Sequence, residues 1–148
     1  MGGVMAHYRF VVDGGAARYT LESEPPEELI IATRIFFYGL FRKVGADEPT
    51  ADALVKVVAA SIFFVGPKVS IKTIGRYYEN MTGKSAKSLS IFLARAAKRS
   101  KIIKKRRAGV YLISRGVARK IISIAKKIRT SSTTAVTSVE RCLVAATA

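Results

Sequence analysis

The sequence predicts an α+β, mainly helical protein, and three observations predict it. Two β-branched and aromatic runs, His7–Val12 and Ala17–Glu22, flank Asp13-Gly14-Gly15, which is hairpin chemistry. Between residues 23 and 129, five stretches open on a hydroxyl, a proline or an acid and carry apolar residues at helical spacing. Lys101–Ile113 adds two β-leaning runs around Lys105-Arg106-Arg107-Ala108-Gly109.

Taken in order, the hairpin comes first. Ser23 and Pro25-Pro26-Glu27-Glu28 then offer a capping hydroxyl, early prolines and acids in the first turn of a helix. That helix should reach Lys43, with Gly45 past its end. Its apolar residues run almost all the way round, so it is expected either to close the core or to pair with a second copy of the chain, with Phe37 among the pairing residues. A second helix is expected from a Thr50 cap to Val65, where Gly66-Pro67 stops it. Lys68–Lys72 leans to strand, Thr73 should cap a helix over 74–81, and Gly83 should end it. Ser85 opens the next helix, 86–99, with Leu89, Phe92, Leu93 and Ala96 on one buried stripe. After the 101–113 hairpin, Ser114 caps a helix to Arg129 with Val117, Ile121, Ile124, Ala125 and Ile128 inward. Residues 130–148 turn to Ser, Thr and Ala and read as a tail.

Charge divides the chain unevenly. Residues 1–52 hold five basic and eight acidic residues, whereas 53–148 hold 21 basic residues against Glu79 and Glu140 alone, for an overall net charge of +16. No carboxylate occurs from Asn80 to Val139. Like charge at this density destabilises a compact state unless a polyanion neutralises it, and nucleic acid is the expected partner. The absence of Gln and the single Asn80 fit a heat-adapted source, since amides are thermolabile.

The element order from residue 50 onward, helix, short strand, helix, tight turn, helix, hairpin, helix, resembles the winged helix-turn-helix superfamily over residues 50–129. Gly66–Tyr78 resembles the passage from the first helix through one strand into the second, Ser85–Arg99 the recognition helix, and 101–113 the wing. The resemblance implies an N-terminal extension over 1–49, a nucleic-acid-binding domain over 50–129 and a tail over 130–148. It also implies duplex binding with a helix in the major groove.

With Leu89, Phe92, Leu93 and Ala96 inward, the opposite face of the 86–99 helix carries Lys84, Lys87, Ser88, Ile91, Arg95 and Lys98, with Ser85 at its start. Lys87 and Ser88 lie in the first turn, where base edges come within reach. Arg95 and Lys98 are expected at phosphates, and the Ala86 and Lys87 amides could hold another. Lys104, Lys105, Arg106 and Arg107 are expected at an exposed hairpin tip suited to phosphates or a narrow minor groove. Arg115 and Arg119 would widen the footprint along the last helix. Tyr77, Tyr78 and Tyr111 could stack on bases, though half-buried packing is the commoner role of such tyrosines.

Catalytic chemistry lacks parts. His7 and Cys142 are the only residues of their kinds, so one chain cannot assemble a zinc site or a Cys–His pair. Gly83-Lys84-Ser85 ends like a phosphate loop, but Tyr78 stands where its first glycine is required. No enzyme activity, metal or cofactor is expected. Without a secretory signal or an apolar run of membrane length, a cytoplasmic, nucleoid-associated protein is expected, with no membrane partner. Double-stranded DNA binding in transcription regulation is the leading expectation. The alternative is a structural nucleoprotein: a ribosomal RNA-binding protein, or a chromatin or virion DNA coat protein.

Overall fold

The computed structural model describes residues 24–130 and the backbone of 11–13 and 16–18. It is mainly helical with a small three-stranded antiparallel sheet, so the α+β class holds. Strands β1 (Val11–Asp13) and β2 (Ala16–Arg18) form the expected hairpin, with Asp13 opposite Ala16. The outer arms of that hairpin, the Ser23 cap, His7, Cys142 and the 131–148 tail lie outside the described residues.

Helix α1 spans Glu27–Lys43, with Glu27 and Glu28 at its positive end and Arg42 and Lys43 at its negative end. Gly45 ends it at φ 101°, a backbone conformation that side chains disfavour. The Ala46 N–H bonds the Phe41 carbonyl (3.1 Å) and the Gly45 N–H bonds that of Arg42 (3.2 Å), a Schellman closure. Phe37, expected to face a second copy, is fully buried in the chain's own core and stacks on Phe41 at 5.8 Å.

Helix α2 (Glu48–Phe64) starts before the expected Thr50 cap. Asp47 caps it instead, accepting the Thr50 N–H at 2.9 Å, and Pro49 fits the first turn, where its missing N–H costs nothing. This helix has apolar residues on every side and is the centre of the core. Strand β3 (Lys68–Ser70) leads straight into α3 (Ile71–Thr82), so the expected Thr73 cap lies inside the helix. Gly83 ends α3 at φ 71°, as its position in the sequence predicts. Helix α4 (Ala86–Arg99) matches its expected range, with Leu89, Leu93 and Ala96 buried and Phe92 half-buried.

Strands β4 (Ile103–Arg107) and β5 (Val110–Ile113) form a hairpin, and β3 adds to it in the order β3-β5-β4. The turn is only Ala108-Gly109, with Gly109 at φ 75°. The cation run therefore lies along an edge strand, interrupted by a bulge at Arg106, and not at a loop tip. Helix α5, residues 115–130, opens on Ser114 as expected and buries Ala118, Ile121 and Ala125.

One core joins α1 through α5 and the sheet, including Phe37, Leu54, Tyr78, Leu93, Tyr111 and Ile121. Buried Gly75 of α3 packs against the start of α4, where an added Cβ would lie 3.1 Å from the Ala86 Cβ. A leucine there forces the two helices apart. Gly75→Leu should cost about 1–3 kcal/mol, seen as a lowered thermal midpoint in circular dichroism; an unchanged midpoint would contradict this packing.

Candidate nucleic-acid interface

The approach to α4 is held by polar bonds that connect three helices. Lys84, in the turn before it, extends to the start of α2, where its Nζ donates to Thr50 Oγ1 (2.8 Å) and stands 3.8 Å from an Asp47 carboxylate oxygen. The Ser85 side chain makes no capping bond. Glu79 of α3 takes that role, its Oε2 accepting the Ala86 N–H at 3.0 Å. A carboxylate thus already occupies an amide expected to hold a phosphate.

Two further residues of α4 expected at the nucleic acid make bonds within the fold. Ser88 is half-buried and its hydroxyl bonds the Tyr78 hydroxyl at 2.8 Å, which ties α4 to α3. Arg95 donates from Nη1 to the Val44 carbonyl at 3.2 Å, fastening α4 to the turn between α1 and α2. The base-reading and phosphate roles expected of these two residues thus compete with bonds that hold the helices together.

Lys87, Ile91 and Lys98 remain exposed on the outer face of α4, and Ile91 is 46% exposed. The wing adds Lys104, Lys105, Arg106 and Arg107, all exposed, while Arg115 and Arg119 are exposed on α5. Among the described residues no carboxylate pairs with a cation of β4. Lys68, not expected as a site residue, joins Arg106 and Arg107 around a cleft of about 240 Å³ over Val110 and Leu112. The strand order brings them together, since Lys68 and Lys104 both register with Leu112. No local sequence signal marks Lys68, because its neighbours arrive from about forty residues away through that order.

The tyrosines are core residues. Tyr77, Tyr78 and Tyr111 are at most 1% exposed, and the Tyr111 hydroxyl donates to the Ser90 carbonyl at 3.3 Å. Burial leaves their rings no face for a base. Among the described residues no cluster of His, Cys, Asp and Glu could hold a metal, and no helix is long and apolar enough to cross a membrane.

No protein-family model, curated protein or solved structure matches this chain.

Asp47 is the electrostatic anchor on the opposite side of Lys84. Hydrogen bonding from Thr50, aided by the charges of Lys84 and Arg42, holds its carboxyl below the usual 3.8. A lowered folded-state pKa contributes stability above the ordinary carboxylate range, and that contribution is lost as pH falls through the lowered value. Asp47→Asn keeps a capping acceptor but removes the charge. The wild type should melt above Asp47→Asn at neutral pH, with the gap closing in acid below about 3.8. A gap independent of pH would contradict this assignment.

Proposed function

We propose that this chain is a winged-helix protein that binds double-stranded DNA and acts in transcription regulation, with α4 entering the major groove and β4 lying along the flanking backbone. One observation carries the reading. The succession α2-β3-α3-α4-β4-β5 with sheet order β3-β5-β4 leaves Lys87, Ile91 and Lys98 exposed on α4 and Lys104–Arg107 exposed on β4, and no described acid pairs with them. A major groove admits one helix and reads it near its N-terminus. In this reading Lys87 donates to guanine acceptors, and Ile91 makes an apolar contact with a thymine methyl. The strand cations and Lys98 meet phosphates, which set affinity and register without reading sequence.

The anchoring of Ser88 and Arg95 in the fold favours a second reading, a structural nucleoprotein. With those two engaged, the helix has few groups left for base edges, as suits a chromatin or coat protein or a protein of folded RNA. The two readings separate by specificity. A regulator binds its selected site roughly 10³–10⁷ tighter than random duplex, whereas a structural protein shows little preference.

Site selection from a random duplex pool, followed by binding measurements, tests this directly. Under the regulatory reading, Lys87→Ala loses about tenfold on the selected site and much less on random duplex. Changing both Arg106 and Arg107 to Ala weakens all duplexes alike and lowers the salt slope by about 2. Failure to enrich any sequence, with binding intact, favours the structural reading. Tighter binding to folded RNA than to any duplex, indifferent to Lys87→Ala, overturns the DNA assignment.

A further inference from the structure

The outer face of α1 is a line of residues at helical spacing: Glu28, Ile31, Ile35, Gly39 and Arg42. Ile31 is 41% exposed and Ile35 63% exposed, although the opposite side of the same helix is buried on α2. Gly39 is exposed, with nothing within 4 Å of where its Cβ would be. Beside the line, Arg34 pairs with Asp52 and lies over the Tyr38 ring at 3.8 Å from its centroid.

We infer that this face is where a second copy of the chain docks, with the two α1 helices antiparallel across a two-fold axis at Ile35. A two-fold contact must be self-complementary, so that residue i meets j and j meets i. Centred on Ile35, the line satisfies this at every step. Ile35 meets the partner's Ile35, Ile31 meets the partner's Gly39, and Glu28 meets the partner's Arg42. Large faces small in the middle and acid faces base at both ends.

Charge singles out this face for a second copy. The 53–148 portion carries 21 basic residues against two acids, so contacts between copies made there repel. Helix α1 instead has two acids at one end, two bases at the other and an Arg34 neutralised by Asp52. Arg42 is already oriented by donating one Nη1 hydrogen to the Ala46 carbonyl at 3.2 Å, which leaves its other donors for a carboxylate. The line is one helix wide, so the contact belongs to the smaller, concentration-dependent class of interfaces. It also carries the consequence that two copies of α4 act together.

Sedimentation equilibrium of the full chain without nucleic acid tests this independently of any nucleic-acid reading. The expected result is a mass that rises with concentration towards twice the 16.1 kDa of one chain. A single-chain mass at every concentration overturns the proposal. Ile35→Lys places two like charges in contact and should leave folded monomers with an unchanged circular-dichroism spectrum; a retained dimer overturns it. Glu28→Lys alone and Arg42→Glu alone should each weaken the dimer by about tenfold, and the two together should restore it. A double variant no tighter than either single variant overturns the antiparallel register.

Discussion

The missing carboxylates between Asn80 and Val139 are the constraint on which the rest of this protein depends. Cations that find no acid within the fold stay on the surface, and they repel one another unless an anion arrives from outside. Three of the acids that precede this stretch are engaged within the fold. Asp47 caps α2 and faces Lys84, Asp52 pairs with Arg34, and Glu79 caps α4 through the Ala86 amide. Each acid stabilises the start of a helix or the contact of α1 with α2. The surface of α4 and β4 is left purely cationic among the described residues.

That arrangement divides the polar groups of a single helix into those bonded within the fold and those left exposed. Ser88 and Arg95 look outward on a helical projection, yet each reaches a neighbour: Ser88 the Tyr78 hydroxyl and Arg95 the Val44 carbonyl. The partners are groups that would otherwise lack a hydrogen bond at a helix contact or a helix end, where leaving one unmade is costly. Anchored this way, α4 is held rigidly against α3 and the α1–α2 turn. Rigid support of this kind positions Lys87 and Ile91 more closely than a loop would.

Much of the fold is legible in the sequence because its punctuation is local. Gly45, Gly83 and Gly109 all sit at positive φ where the pattern demands a stop or a turn, and Ser114 opens its helix as expected. The range of α4 follows from the spacing of Leu89, Leu93 and Ala96. Local signals fail where two candidates compete. Asp47 displaces Thr50 as the cap of α2 because Pro49 is comfortable inside a first turn, and α3 starts at Ile71 because β3 is short and needs no linker. The site is less legible than the fold. Exposure of Lys87, Ile91 and Lys98 follows from helical periodicity, whereas the 104–107 cations, expected at a hairpin tip, are exposed along an edge strand, and the ties of Ser88, Lys84 and Arg95 depend on contacts 10, 34 and 51 residues apart. The cleft shared by Lys68, Arg106 and Arg107 likewise exists only once β5 lies between β3 and β4.

The central claim is that this uncompensated surface exists to meet a polyanion. The affinity of the full chain for duplex DNA, measured as a function of salt, tests it most directly. If Lys68, Lys98 and Lys104–Arg107 meet phosphates, the logarithm of the binding constant falls linearly with the logarithm of salt concentration, with a slope of roughly −5. A slope near zero, or no binding at low salt, would contradict the account.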